Sequence, residues 1–595
     1  MSFHWHPSEQ VRTARYLFKW TLLASLVGIC CGTASAAFLH SLDFATDTRL
    51  SHPWLLFLLP VCGCFIGLFY QRWGKSSERG NNLLLEEINK PSSGVPGRMA
   101  PAILLSTLAT HLFGGSAGRE GTAVQMGGAL AGWVARKLGL DKVHTRTLLM
   151  AGISAGFGSV FGTPLAGAIF GLEVLFVGRL RYDALVPCLV ASVVGDWTCS
   201  AWGVHHTHYI VENLPTVTPW LVAKVLTASL AFGLVSVLFA EATSWLHWLF
   251  KHLMPWAPGR PALGGLMVIG LVYLAGTRDY LGLGLPVIVQ SFRPEGVAAG
   301  AFAWKLLFTA VTLGCGFKGG EVTPLFFIGA TLGCTLGVVL GVPPNFLAAL
   351  GFVAVFAGAA NTPLACTVMG IELFGGQYAV FLAMACCSSY VWSGHRGIYL
   401  SQMVDTPKTD DPHIAVETTL ERVRECQPAP VVQLNFFARL RRRAPAKRLA
   451  FSTTQTGEKM TKQEAHHPVH KVGVVRIYLS AGDRIPGKSW AQRLFSRPLY
   501  QEIIDQARDA GLWGATAKGM TYGFTHGGKK MADIHPDSGF VNTHIYVELI
   551  ATRPQLESFF AQITPLVANR VATFDEVEHW GEVPASSGLH IAEVS

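Results

Sequence analysis

Charge is what this chain of 595 residues has least of: only 14% of it is Asp, Glu, Lys or Arg, against 50% hydrophobic residues. Soluble globular chains carry about a quarter charged residues, so an ordinary soluble protein is excluded over most of the length. The scarcity is uneven. From about Leu17 to about Gln402 apolar runs follow one another, and from Met403 onward charges return at ordinary density. That pattern predicts one membrane domain followed by a soluble tail.

Other absences narrow the function. None of the twelve cysteines forms a C-x-x-C pair, and eleven lie in the apolar part, as in Cys30-Cys31 and Cys386-Cys387. They read as small core residues rather than as zinc ligands or disulfides. The stretch His466-His467-Pro-Val-His470 lies in a polar linker without partnering cysteines and reads as solvated. No Ser/His/Asp or metal constellation is present, so an enzyme has no support. The basic runs Ala438-Arg-Leu-Arg-Arg-Arg443 and Lys447-Arg448 lack the interleaved aromatics of a nucleic-acid arm. Next to membrane segments such runs attract anionic lipid headgroups and favour the cytoplasmic side, so the tail is expected there.

A spanning helix needs about 20 apolar residues. Thr21–Phe38 has an A-x-A-like end, as a secretory signal does, but a mixed stretch precedes it and many apolar segments follow. It reads as the first membrane helix. Pro53–Trp73, Ala184–Gly203 and Val222–Phe250 are long enough to span, whereas Pro164–Gly178, Pro261–Gly276 and Pro324–Gly341 read as too short, chopped by Gly and Pro. Short interrupted segments at membrane depth survive only around protein or a wet cavity, and so point to an ion or substrate site.

The chain also repeats itself. Gly118-Arg-Glu120-Gly-Thr122 has a counterpart in Gly319-Gly-Glu321-Val-Thr323, at an offset of 201. Thr163-Pro-Leu-Ala166 with Gly171-Leu-Glu173 recurs as Thr362-Pro-Leu-Ala365 with Gly370-Ile-Glu372, at an offset of 199. The membrane part is therefore read as a duplicated unit of about 200 residues. Inversion of the halves is not legible in the letters; an odd number of spans per half would force it. The expected boundaries are 1–402 for the membrane domain, 403–467 for a basic linker, 468–580 for the soluble domain and 581–595 for a tail.

In the soluble part, Val472–Leu479, Ala515–Phe524, His544–Ala551 and Ala572–Val577 read as strands, and Leu499–Ala510 and Gln555–Ala568 as helices. The order βαββαβ is the ferredoxin-like arrangement. The fold class expected is thus an all-α polytopic membrane protein followed by an α+β domain.

The Gly-Arg-Glu-Gly quartet sits where an apolar segment, Thr122–Leu138, begins. A helix starting at Gly121 aims unpaired N–H groups and a positive dipole end at whatever lies before it, which makes an anion site. Glu120 can occupy that site when ionised and leave it when protonated, linking anion passage to proton passage. The plainer alternative is that Arg119 and Glu120 pair with each other in an interfacial loop. Intramembrane ionisable residues are costly and usually functional. Glu321-Val-Thr323-Pro324 places a second helix start, with Pro in the first turn, and the two N-termini are expected to converge. Lys318 reads as an interfacial or paired charge. Glu173 and Glu372, twinned in Gly-x-Glu, read as helix caps or braces ahead of proton relays.

Gly-Arg-Glu-Gly at a helix start, the earlier Gly80-Asn-Asn-Leu83 run with Glu86-Glu87, and the Gly319–Pro324 start together resemble the CLC family of anion channels and anion/proton antiporters. The resemblance covers about residues 15–402. It implies a homodimer with one pore per subunit, each subunit an inverted repeat of short, tilted helices, with no cofactor for transport. By it Glu120 is the gating, proton-transferring glutamate, and Arg119, Gly121, Glu321, Val322 and Thr323 border the anion path. Tyr399, in Gly394-His-Arg-Gly-Ile-Tyr-Leu, matches the tyrosine that completes the central site, ahead of Tyr390.

Departures from the family pattern refine this. Asn81 stands where chloride-selective members have a coordinating serine, Thr122 where most have proline, and Val174 where chloride/proton exchangers have a second glutamate. With Glu321 and Thr323 they resemble the branch that exports fluoride in exchange for protons, placing this chain in the inner or plasma membrane. A chloride-selective exchanger or channel, and a sensor signalling through its tail, remain the alternatives.

The tail has its own resemblance. Val475-Arg-Ile-Tyr478, Pro498-Leu-Tyr500, Ala510-Gly-Leu-Trp-Gly-Ala-Thr516 and Lys518-Gly-Met-Thr-Tyr-Gly523 are similar to PII-like signalling domains. Those are usually trimers and often bind nucleotides between subunits, which implies a nucleotide or another small ligand for this domain. Thr525–Lys530 reads either as a ligand-sensing loop or as a solvated turn. A trimer on a dimer is a symmetry mismatch. The tail is then not trimeric, joins separate dimers, or is not PII-like.

Overall fold

The computed structural model describes residues 7–409 apart from 93, 208, 210, 212–214, 294 and 295, then 418–426, 469–480, 483, 499–519, 544–567, 570 and 572–580. The chain divides into two compact units, Met1–Ala429 and Pro430–Ser595. The basic runs, His466 and His467, Thr525–Lys530 and the tail after 580 lie outside the described residues.

The first unit is helical, and its helices repeat in order. Pro7–Ser51, Leu59–Phe69, Asn81–Asn89, Met99–Leu112, Glu120–Lys137, Lys142–Phe161, Pro164–Glu173 and Leu185–Ala201 make the first half. Pro219–Leu253, Gly259–Ala275, Leu285–Gln290, Ala301–Gly314, Val322–Leu340, Pro344–Ala360, Pro363–Phe374 and Ala379–Trp392 answer them one for one. Among the described residues five helical stretches are long and apolar enough to cross a membrane: Gln10–Ser51, Pro53–Gly74, Tyr182–Ala201, Pro219–Leu253 and Val322–Leu340. The last corrects the reading of Pro324–Gly341 as too short. Glu321 caps the helix and Val322 and Thr323 ahead of Pro324 belong to its first turn, so the 19 residues Val322–Leu340 are continuous helix.

Local sequence explains the repeated breaks. Gly162 ends its helix in the left-handed conformation at φ 71°, and Asn361 does the same at φ 57°, the one non-glycine with positive φ among the described residues. Each is followed by Thr-Pro, and the proline opens the next helix, where its missing N–H is no loss. Helix contacts repeat as well. A Cβ on Gly127 or Gly152 would lie 2.2 or 2.4 Å from the other's carbonyl oxygen, and Gly329 and Gly351 face each other in the same way at 2.0 and 2.2 Å. Small residues are what let two membrane helices pack backbone to backbone.

The halves also brace each other reciprocally. The Glu173 carboxylate accepts from Leu364 N at 3.0 Å and Ala365 N at 2.8 Å, at the start of the helix Pro363–Phe374. Glu372 accepts from Leu165 N at 3.0 Å and Ala166 N at 2.8 Å, at the start of Pro164–Glu173. Each Gly-x-Glu thus caps the equivalent helix of the other half.

The segment from 403, expected as linker, begins instead as part of this unit. Met403–Val404 pairs in parallel with Phe176–Val177 and antiparallel with Thr418–Thr419, and the helix Leu420–Cys426 follows. Val177, Val404, Leu420 and Val423 share a small apolar cluster there, which an unstructured linker would leave wet.

In the second unit, strands Val469–Ser480, Gly514–Gly519, His544–Ala551 and Ala572–Trp580 form one antiparallel sheet. Numbered along the chain, they lie in the order second, third, first, fourth. Helices Leu499–Asp509 and Arg553–Val567 pack their apolar stripes, Leu499, Ile503 and Ala507 and Leu556, Phe559 and Ile563, onto Ile477, Leu479, Val547 and Leu549. His470 pairs with His579 inside the sheet.

The reciprocal caps yield a prediction. Glu173→Ala strands two buried N–H groups and lowers stability by about 1–3 kcal/mol. Glu372→Ala, whose carboxylate is less buried, costs less. Thermal unfolding of the detergent-purified variants checks this, and an unshifted Glu173→Ala midpoint contradicts it.

Candidate functional site

Two glycine-flanked loops meet at the centre of the first unit. Gly118 N donates to Gly320 O at 2.6 Å and Gly320 N to Gly118 O at 2.8 Å, an isolated antiparallel bridge between the halves. Only glycine permits this approach. A Cβ on Gly320 would lie 2.7 Å from Gly121 N, and one on Gly121 would lie 2.9 Å from Gly320 Cα. Immediately after the bridge the helices Glu120–Lys137 and Val322–Leu340 start, so their positive ends face a common centre.

Glu120 lies there with no exposed surface. Its Oε2 accepts from Thr323 N at 3.0 Å, from the Thr323 hydroxyl, and from Arg119 N at 3.2 Å. Its Oε1 lies 3.4 Å from Arg119 Nε. The carboxylate therefore heads its own helix and at the same time caps the equivalent helix of the other half. The interfacial Arg119–Glu120 pair considered as the plainer reading exists, but it is the weaker part of this arrangement. The cross-half contact was not legible, because a sequence does not say which helix end a side chain reaches.

Asn81 and Tyr399 come to the same place from opposite ends of the unit. Asn81 opens the helix Asn81–Asn89 after Gly80, whose φ of 56° makes the turn. Asn82 Oδ1 accepts from Ser401 N at 3.0 Å, and the Ser401 hydroxyl donates to Glu86 Oε1 at 2.8 Å. These bonds tie the Asn81 helix to the loop carrying Tyr399. The Tyr399 ring meets Phe170 edge-on, with centroids 6.4 Å apart. Asn81 Nδ2 and Glu321 Oε2 both flank Gly121, 3.3 and 3.4 Å from where its Cβ would be. Asn81 Oδ1, Glu321 Oε2 and Tyr399 Oη are all buried polar atoms without a hydrogen-bond partner. Unsatisfied groups of this kind are rare and ask for a ligand, a water or a moving side chain.

The remaining candidates fall into place around this centre. Val322 is the buried first residue of its helix. Lys318 donates weakly to the backbone carbonyl of Glu78 at 3.5 Å and lies 4.4 Å above the Tyr70 ring. Thr122 shares a hydroxyl contact of 2.9 Å with Thr107. Tyr390 is elsewhere: its ring lies 3.8 Å beneath the Lys408 ammonium, beside the small cluster at Val404.

Beyond Glu120 a small cavity of about 20 Å³ is lined by Arg119, Glu120, Thr323, Phe161, Phe326 and Tyr209 among others, room for one water or small ion. Its aromatic wall was missed in the sequence. Phe326 stacks on Phe352 at 4.1 Å, and Phe161 meets Phe326 edge-on at 5.1 Å.

A family model described as "Voltage gated chloride channel" matches residues 62–394, and a model of the DUF190 family matches residues 473–579. A "Chloride/fluoride channel protein" of Pseudomonas syringae pv. tomato is 52% identical over 410 residues, 68% of this chain and 90% of its own. A "Voltage-gated ClC-type chloride channel ClcB" of Salmonella typhi is 28% identical over 420 residues, 64% of this chain and 98% of its own. Among solved structures, that of a CLC-type fluoride/proton antiporter superposes with a TM-score of 0.64 at 34% identity, over 65% of this chain and 98% of that one. A slow cyanobacterial Cl⁻/H⁺ antiporter superposes at 0.57 with 19% identity, over 64% and 96%, a likeness of fold.

The close bridge predicts that Gly320→Ala drives the two helix starts apart and lowers ion flux in liposomes at least about tenfold, as a displacement of about 1 Å can. Wild-type flux from a correctly folded variant would contradict it.

Proposed function

This chain belongs to the CLC family, as a multi-pass membrane protein and not an enzyme, and from that premise we propose that it exports fluoride in exchange for protons. The observation that carries the proposal is the Glu120 carboxylate seated on the N–H and hydroxyl of Thr323. An ionised carboxylate there is held by two donors and by the positive ends of two helices. Protonation removes the charge that the seat binds. Glu120 then swings away, the donors of Thr323 and Val322 are free for an anion, and the proton travels with the side chain. Entry of the anion and return of the ionised carboxylate exclude each other, which couples the two ions.

Selectivity rests on donors. Fluoride is small and strongly hydrated, so a site must replace its water with short, strong hydrogen bonds. Asn81 supplies an amide with two N–H groups where serine has one O–H, and the unpartnered Tyr399 hydroxyl adds an O–H donor. Arg119 and the Gly121 backbone border the outer side. The names of the Pseudomonas relative and of the antiporter structure support fluoride. The first of these names includes chloride too, and it is the observation that keeps a chloride exchanger or channel as the second reading.

The reading extends to the assembly. The reciprocal Glu173 and Glu372 caps and the antiparallel Gly118–Gly320 bridge are what a two-fold axis between the halves produces, and they support an inverted repeat. A homodimer with one pathway per subunit follows from the family resemblance. Tyr16 bonded to Asp183 O, Lys19 to His144 and Arg179 to Asp405 gather basic segments on one face with the end of the membrane unit. That favours a cytoplasmic tail. The sheet order of the second unit fits the PII-like reading, with a nucleotide or similar small molecule as its ligand. Leu420 N and Glu421 N donate to Gln402 O at 2.9 Å and Leu400 O at 3.0 Å, so the chain leading to the tail grips the loop of Tyr399. Pulling on it is a route for regulation.

Two variants test this. Glu120→Gln keeps the size of the side chain but cannot titrate, so a fluoride gradient no longer drives protons across liposomes; undiminished coupling in that variant removes Glu120 from the mechanism. Asn81→Ser exchanges one donor set for another and shifts the fluoride-to-chloride flux ratio about tenfold toward chloride, the equivalent of one hydrogen bond. An unchanged ratio makes Asn81 a neutral departure.

A further inference from the structure

Behind the quartet loop lies a second concentration of buried basic groups. Arg49 ends the first long helix, His111 lies in the last turn of Met99–Leu112, and Lys305 stands in the first two turns of Ala301–Gly314. The loops at Gly114-Gly115 and Gly282 bring them together, with Gly282 N donating to Gly115 O at 3.1 Å. A point one Cβ bond from the Gly282 backbone, whose φ is 56°, lies 3.0 Å from Arg49 Nη2 and 3.6 Å from His111 Nδ1. Both donors therefore converge over a residue that has no side chain.

His111 and Lys305 have no exposed surface. Lys305 Nζ donates to Tyr280 O at 3.1 Å and Gly282 O at 2.7 Å and lies 5.2 Å from the Phe327 ring centre. Carbonyl oxygens satisfy its hydrogens but bring no net charge. Arg49 Nε and His111 Nδ1 are buried without hydrogen-bond partners. Arg49, Lys305 and Arg119 act on His111, Arg49 acts on Lys305 and Arg278 acts on Arg49, all of them basic groups. A buried charge is costly unless an opposite charge or a full set of hydrogen bonds accompanies it. Unpartnered donors on one side and uncompensated positive charge on the other call for the same thing.

We propose that Arg49, His111 and Lys305 hold a small monovalent anion, a halide, at a site beside Gly282 that is separate from the Glu120 seat. Arg49 supplies the permanent charge and a forked donor, His111 a ring N–H, and Lys305 the second charge from behind. His111 also faces the backbone of Gly118, so an ion here steadies the loop that carries Arg119 and Glu120. The site follows from unpaired donors and charge, and it stands whichever anion crosses the membrane.

Crystals of the full-length protein grown with bromide as the only halide test it by anomalous scattering. The expected result is a peak within about 3.5 Å of Arg49 Nη2 and His111, absent from Arg49→Gln crystals. A map with only a water between these residues, or with a bromide peak at Thr323 alone, overturns the proposal and leaves the transport reading untouched. Thermal unfolding at constant ionic strength gives an independent measure. Replacing gluconate by bromide should raise the wild-type midpoint by a few degrees and the Arg49→Gln midpoint by none. Equal shifts in both would assign the bromide effect elsewhere. Should Arg49→Gln fail to fold, Lys305→Met serves the same comparison, and the wild-type map decides alone.

Discussion

Two helices that begin face to face in the middle of a membrane protein present more N–H groups than the backbone can satisfy. The constraint is severe, because no bulk water reaches that depth and an unpaired donor there costs several kcal/mol. Something negative must sit between them. In this chain the occupant is a side chain, Glu120, whose carboxylate bonds the start of the opposite helix at Thr323. A group that satisfies the site only when ionised makes occupancy by an anion and protonation of the protein two sides of one event. Exchange of an anion for protons, as proposed, follows from that exclusivity without any moving domain.

The duplication is what makes the arrangement affordable. The devices that shape the broken helices occur twice: the left-handed cap at Gly162 and Asn361, the following Thr-Pro, the glycine contacts between successive helices, and the carboxylates of Glu173 and Glu372. Each half supplies caps for helix ends that the other half leaves open. Neither half could satisfy its own broken helices, so the interface between them is a requirement of the repeat. The centre is where the symmetry is broken, since Glu120 reaches across to Thr323 while Glu321 keeps an unpartnered oxygen.

Much of this was legible because the motifs carry their own chemistry. The paired offsets announced the duplication, and Gly-Arg-Glu-Gly marked a helix start with a carboxylate on it. Gly-x-Glu was read as a cap, which it is, but its partner in the other half could not be known from one strand of letters. Three things escaped for physical reasons. Pro324–Gly341 reads as too short to span only because the count begins at the proline, whereas the helix begins at Val322 in the same first turn. Ser401, the residue that ties Asn82 and Glu86 to the Tyr399 loop, acts only through contacts more than 300 positions away in sequence. The aromatic wall of Phe161, Phe326 and Phe352 looks, by composition, like any other membrane core.

The measurement closest to the central claim is proton movement driven by fluoride alone. Liposomes containing the purified protein are loaded with fluoride, with pH equal on both sides and the membrane voltage clamped, and internal pH is followed as fluoride leaves. The account predicts that fluoride exit acidifies the interior and that an equal chloride gradient leaves pH almost unchanged. Fluoride exit with no change of internal pH, or acidification of the same size with chloride, would contradict it.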